Sequence, residues 1–322
     1  MPTPVMEETL TRQRALALKR ILLATDLSDA SSNAKQWTVA LARHYGAEVF
    51  LGHAVPPEVR GFVPLDVLPK ELDRDRLSAE RAMKDLVYNL LEERVVAHSR
   101  LQRGPVWEVI SSIIAEENID LLVLGTHGRS GLSKVALGSV AEQLLRTVTC
   151  PVLTIGRNAP RIDTSTLHFS RILFSTDFGP STEKSLGYAL SLAEEYRSKL
   201  IVLHAIPRIP VSDIGPGLYC PAYYTAKDVM KWEADAREES AKKLRAMIPA
   251  DANLAFEPEF EIQADFLPRG IMNAADQHNV DLIVMGAHGR GSARMAAHLP
   301  WSAVHGVISE ARCPVLTIMS PA

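Results

Sequence analysis

Cysteine is scarce in this chain. Its 322 residues include three, Cys150, Cys220 and Cys313. No two form a CxxC pair, so the sequence offers no zinc site and no disulfide framework. Cys150 and Cys313 each stand just before a proline that opens an apolar run, where a free thiol serves as a small buried hydrophobe. Long hydrophobic runs are missing as well. No stretch is long enough to cross a membrane, and the polar, charged segment from Met1 to Lys19 has no signal-peptide core. Basic runs are also absent. With 35 Lys and Arg against 38 Asp and Glu, the formal net charge is −3, the wrong sign for a protein that binds nucleic acid by neutralising phosphates. These absences point to a cytoplasmic protein that engages neither membrane nor nucleic acid. What remains is 47% hydrophobic, ordinary for a globular fold, and long enough for two domains.

The two domains are copies of each other. Arg20-Ile-Leu-Leu-Ala-Thr-Asp26 returns as Arg171-Ile-Leu-Phe-Ser-Thr-Asp177. Asp120-Leu-Leu-Val-Leu-Gly-Thr-His-Gly-Arg129 returns as Asp281-Leu-Ile-Val-Met-Gly-Ala-His-Gly-Arg290, and Cys150-Pro-Val-Leu-Thr-Ile155 as Cys313-Pro-Val-Leu-Thr-Ile318. Three segments recurring in one order mark a duplication. Each copy, about 150 residues long, can bury its own core. The expected division is a first domain over 1–157, a linker over 158–170 rich in breakers, and a second domain over 171–322.

Within each copy, short apolar runs alternate with helical patterns. Ile21–Thr25, Glu48–Ala54, Leu121–Gly125 and Val152–Ile155 read as strands, with a weaker one near His98–Gln102. Their nearly continuous hydrophobicity fits a parallel sheet covered on both faces. Ala34, Trp37, Thr38, Leu41 and Tyr45 fall on one helical face, and Ser185, Tyr188, Ala189, Leu192 and Tyr196 repeat it. Further helices are expected over 73–96, over Ala226–Met247, and from Pro105, a good first helical residue, to Glu117. The order β-α-β-α-β-α-β-α-β demands right-handed crossovers and a doubly wound α/β domain. Ligands bind such sheets at the carboxyl ends of the strands. Two long, proline-rich connections, Val55–Leu72 and Ile206–Thr225, follow the second strand of each copy; the latter carries Tyr219, Tyr223 and Tyr224. They are expected to pack between the halves or to serve as lids.

The segment after the fourth strand carries the chemistry. Gly125-Thr-His-Gly128-Arg-Ser-Gly131-Leu-Ser-Lys-Val-Ala-Leu-Gly138-Ser139 leads into a helix. Glycines let a ligand approach the backbone, successive free amides form an anion nest, and a helix start favours phosphate. Ser139 can either cap that helix or donate to a phosphate oxygen. The spacing is not that of a P-loop, and no GxGxxG is present.

The spacing Gly125-x2-Gly128-x9-Gly138-Ser139 does resemble the signature of the nucleotide-binding branch of the universal stress protein family. The Ile-Leu-x-x-x-Asp opening strand, His53 and His204 ending the second strand, and the Cys-Pro-Val-Leu closing strand resemble that family too. The likeness spans roughly residues 18–157 and 169–320, as in tandem members. It implies a five-stranded parallel sheet of order 3-2-1-4-5 in each copy, helices on both faces, and fifth strands that pair the copies as an intrachain pseudo-dimer. It implies ATP across the carboxyl ends of the first, second and fourth strands. Asp26 would then meet the ribose or adenine side, though a turn-capping role fits its position as well. Ala54 would offer its backbone to adenine, Gly125 and Gly128 would line the ribose and phosphate passage, and Gly138 and Ser139 would hold the phosphates. His127 and Arg129 could reach a phosphate or stand as solvated loop charges. Mg²⁺ would arrive with the nucleotide, since no His/Glu cluster offers a protein metal site.

The second copy departs from this pattern. It keeps Gly286 and Gly289, but the stretch that follows is two residues longer, and Trp301 and Ser302 align with Gly138 and Ser139. Pro300 has no N–H to donate. The first copy is therefore expected to bind nucleotide, and the second weakly or not at all. No nucleophile–base pair, paired carboxylates or metal triad points to an enzyme. The expected function is nucleotide-dependent regulation or partner binding in a stress response. Slow ATP hydrolysis and a scaffold without nucleotide are the alternatives. Protein partners are unknown from sequence, and pairing of whole chains into a homodimer stays open.

Overall fold

The computed structural model of the chain describes residues 18–28, 31–55, 68–126, 138–206, 226–265, 267–288 and 301–320. In the first half β1 (Arg20–Ala24), β2 (Glu48–Val55), β3 (Ala97–Arg103), β4 (Leu121–Gly125) and β5 (Val152–Ile155) alternate with α1 (Ser32–Tyr45), α2 (Leu68–Glu92), α3 (Val106–Glu116) and α4 (Ser139–Thr147). The second half repeats the order with β6 (Arg171–Thr176), α5 (Thr182–Tyr196), β7 (Lys199–Ile206), α6 (Ala226–Met247), β8 (Glu259–Ala264), α7 (Arg269–Gln277), β9 (Leu282–His288), α8 (Trp301–Glu310) and β10 (Val315–Ser320).

All ten strands join one sheet in the order β3-β2-β1-β4-β5-β10-β9-β6-β7-β8. Each half has the expected 3-2-1-4-5 order with parallel neighbours. The fifth strands join antiparallel, Leu153 opposite Leu316, and Thr154 Oγ1 donates across the seam to the Val315 carbonyl at 3.1 Å. That junction turns the carboxyl edges of the two half-sheets to opposite ends of the molecule.

The strand pattern explains the layering. Successive side chains of a strand point to opposite faces. Ile21 and Leu23 of β1 pack on Trp37 and Leu41 of α1 and on Met83 and Leu90 of α2. Leu22 joins Phe50, Ile110, Ile113 and Leu144 on the other face. Both cores run through both halves. At the sheet's opposite edge, Asp120 Oδ2 accepts from the Lys19 and Arg20 amides at 2.8 and 2.9 Å. Asp281 repeats this with Ser170 and Arg171. The repeated aspartates therefore clamp the start of the central strand.

Several element boundaries differ from expectation, among them the start of α2, at Leu68 rather than 73. α2 ends at Glu92, short of 96, because Arg94 turns left-handed (φ 60°) and hands the Val95 amide back to the Leu90 carbonyl. Pro105 is the N-cap of α3 rather than its first helical residue, with an extended ψ of 135°.

The connection between β5 and β6 is a packed strap. Asn33 Nδ2 donates to the Ala159 carbonyl (3.0 Å) and Trp37 Nε1 to the Pro160 carbonyl (3.2 Å). Arg43 donates to Thr164 Oγ1 (2.7 Å). Ala159, Leu167 and Phe169 are buried, and Phe169 stacks on Trp37 with centroids 6.0 Å apart. At the seam, Tyr196 donates its hydroxyl to that of Tyr45 (3.1 Å). Tyr45 in turn donates to Glu195 (2.9 Å), which also pairs with His44 (2.8 Å).

Candidate functional site

The carboxyl ends of β1, β2 and β4 open into a cleft of about 370 Å³, within the range of small-molecule sites. Asp26, Ala54, Gly125, Gly138 and Ser139 all line it. His127, Gly128 and Arg129 lie outside the described residues, as do Ser130, Lys134, Tyr219, Tyr223, Tyr224 and most of the two long connections.

The turn after β1 is built by its own side chains. Asp26 Oδ1 accepts from the Ser28 amide (3.0 Å) and hydroxyl (2.7 Å), so Asp26 does shape this turn. Thr25 Oγ1 accepts from the Leu27 amide (3.0 Å) and lies 3.2 Å from Ser31 Oγ. Leu27 takes a positive φ of 62°. The second half builds the same turn with Thr176, Asp177, Phe178, Gly179 and Thr182.

At the other wall, Gly138 is the N-cap of α4 and Ser139 its first helical residue, with no side-chain cap. Ser139 is exposed at the mouth. The Gly138 amide donates to the Thr126 carbonyl at 3.1 Å. The open amides belong instead to the first helical turn, Ser139, Val140 and Ala141, which have no intrahelical acceptor. A Cβ at Gly138 would lie 3.4 Å from the Thr126 carbonyl, an ordinary contact.

Sequence reasoning missed several lining groups, among them Ser31, Gly52, His53, Val106 and Ile110. His53 Nδ1 lies 2.8 Å from the Thr25 carbonyl. A carbonyl only accepts, so Nδ1 carries the proton and a neutral ring keeps Nε2 as an acceptor. His204 repeats the contact with Thr176 at 2.9 Å, and burial pushes its pKa down. The signal for Gly52 was in the repeat: its counterpart is Leu203.

The second half is filled differently at this level. A Cβ on Gly286, the counterpart of Gly125, would collide with Ser181, and Ser185 Oγ lies 3.3 Å away. Phe178 packs its ring on His204, centroids 4.4 Å apart. α8 starts at Trp301, whereas α4 starts one position later in the repeat, at Ser139. The side chains of Trp301 and Ser302, with residues 289–300, lie outside the description. Among the described residues no group of His, Cys, Asp and Glu could hold a metal, and no helix is long and apolar enough to cross a membrane. Cys150 and Cys313 are free and buried, with burial as the main cause pushing both thiols up to about 12.

Two doubly wound half-sheets joined at their fifth strands, with a cleft at the carboxyl edge of the first, define a tandem protein of the α/β class. The universal stress protein family model matches residues 17–156 and 168–318. The chain belongs to the universal stress protein family. A universal stress protein of Methanocaldococcus jannaschii is 33% identical over 140 residues, covering 42% of this chain and 81% of that one. A tandem-length relative from Mycolicibacterium smegmatis is 25% identical over 307 residues, covering 92% and 96%. The fold is shared with a universal stress protein structure from Archaeoglobus fulgidus (TM-score 0.62, 19% identity, 95% and 98% covered).

Proposed function

We propose that the first half binds an adenine nucleotide, ATP with its Mg²⁺, and that the chain acts in a stress response by nucleotide-dependent regulation or partner binding rather than by turnover. The observation that carries this reading is the single cleft where Asp26, Ala54, Gly125, Gly138 and Ser139 converge. Its make-up suits the ligand. Val106, Ile110, Leu124 and Leu144 give an apolar floor for a base. The amides at the start of α4, with the Ser139 hydroxyl, give donors for phosphate. The backbone of Ala54 would meet the base, Asp26 the sugar side, and Gly125 the passage between. Bound nucleotide supplies phosphate charge that a neighbouring loop or partner can read, and magnesium would be held largely by that phosphate and water.

The reading includes one nucleotide per chain. Titration calorimetry of the full chain with MgATP, beside Gly138→Trp, tests it. One equivalent bound by the native chain and none by the variant is expected. Two equivalents of similar affinity, or no binding by the native chain, would overturn it. Steady release of inorganic phosphate by the purified chain would overturn the non-enzymatic part.

A further inference from the structure

The two halves meet where they are equivalent. Leu153 lies opposite Leu316 in the β5–β10 pair, and the C-terminal ends of α1 and α5 meet at the seam. His44 holds the same place in α1 as Glu195 in α5, and Tyr45 the same place as Tyr196. Each of these positions touches its own copy. His44 Nε2 lies 2.8 Å from Glu195 Oε1, and the Tyr196 hydroxyl donates to that of Tyr45 at 3.1 Å. A position that meets itself lies on a twofold axis, and there a pair of identical halves would set a residue against itself.

The sequence breaks the symmetry at one of the two positions. Tyrosine stands on both sides, but histidine faces glutamate. The hydrogen bonds depend on that difference. Tyr196 donates to Tyr45, Tyr45 donates to Glu195 Oε2 at 2.9 Å, and His44 donates to Oε1. One carboxylate is the acceptor at which these bonds end. Burial, with Tyr196 and Glu195 beside it, holds the Tyr45 pKa far above its ordinary value, so the phenol stays a donor. His44 also stacks on the Tyr196 ring, centroids 5.0 Å apart. Its side chain is 35% exposed and that of Glu195 30%, so the pair is partly shielded from water.

Two first halves joined in this way would bring histidine against histidine and leave the tyrosine hydroxyls without a carboxylate. Two second halves would bring glutamate against glutamate, two negative charges in close approach. We propose that His44, Tyr45, Glu195 and Tyr196 make the seam selective for the unlike half: a first half accepts a second half, its own or that of another copy of this chain, in preference to a first half. The leucines at the centre of the seam do not make this choice, because Leu153 and Leu316 are the same residue on both sides. The inference concerns the seam alone and stands apart from the nucleotide reading.

The full chain can carry each like pair at its own seam. Glu195→His sets the first-half residues on both sides, His44→Glu sets the second-half residues on both sides, and His44→Glu/Glu195→His exchanges the unlike pair. Thermal unfolding at low salt compares them with the native chain, with circular dichroism confirming the fold of each. Each single variant should lower the midpoint by about 2–4 °C. The double variant should regain most of that loss, since the hydrogen bonds then run in reverse. A single variant as stable as the native chain would overturn the selectivity. So would a double variant whose loss equals the two single losses added together, because the two positions would then act independently. If a single variant does not fold, Glu195→Gln, which keeps the shape but not the charge, takes its place: a loss of about 1–2 °C supports the proposal and no loss overturns it.

Discussion

Replacing Trp37 tests whether the strap is held to the first half as its contacts indicate. Trp37 is 5% exposed, stacks on Phe169 with planes 9° apart, and donates its indole N–H to the Pro160 carbonyl at 3.2 Å. Trp37→Phe keeps most of the apolar area and the stacking partner but removes the donor. Leaving that carbonyl without its partner costs about 1–2 kcal/mol. Trp37→Ala removes the ring as well, and large aromatic truncations in cores cost about 3–5 kcal/mol. The difference between the two variants, about 1–4 kcal/mol, is then the packing share. Urea unfolding followed by circular dichroism reads both numbers. The halves share one sheet and two cores, so a single transition is expected. A Trp37→Phe variant as stable as the native chain would remove the hydrogen bond from the account. A Trp37→Ala variant losing less than about 1 kcal/mol, far below the core range, would refute the packed strap.

Gly306→Ala in α8 should destabilise by about 1–3 kcal/mol, since its Cβ would run into the Pro268 ring; the usual gain from replacing a helical glycine has the opposite sign, so the direction of a melting shift decides. Burial lowers the folded-state pKa of His204 below its ordinary 6.5, so the unfolded chain binds the proton first as pH falls. The stability from this group is present above about pH 6.5 and lost as pH drops through the folded value. His204→Asn should flatten that part of the stability–pH curve, and an unchanged curve would refute the assignment. Cys150 and Cys313, with thiols pushed to about 12, should escape iodoacetamide in the native protein at pH 8 and react once it is unfolded, as mapped by mass spectrometry.

Much of the fold was legible because its causes are local and repeated. The nearly all-apolar strands announced a parallel sheet, and the spacing of Trp37, Leu41 and Tyr45 announced the buried face of α1. The repeat and the family resemblance together anticipated the order of each half-sheet and its pairing through β5 and β10. The end of α2 was not legible, because nothing in Glu92-Glu-Arg-Val95 distinguishes a left-handed Arg94 from another helical turn. The site was legible where glycines and an aspartate stand at strand ends. It was less so where the lining comes from apolar side chains of a helix, as at Val106 and Ile110, or where a backbone bond uses a donor, as at Gly138. The strap was read as a linker from its breakers, yet Asn33, Trp37 and Arg43 bind it through contacts distant in sequence.

The antiparallel junction also sets an order of events during synthesis. The first half can complete β1 to β5 as soon as it leaves the ribosome, but β10, which covers the free side of β5, is made only after the rest of the second half. Until then β5 is an open edge, and an open edge invites pairing with another chain. A truncated first half would carry that edge permanently, and the nearest matching strand in a concentrated solution is the β5 of another copy.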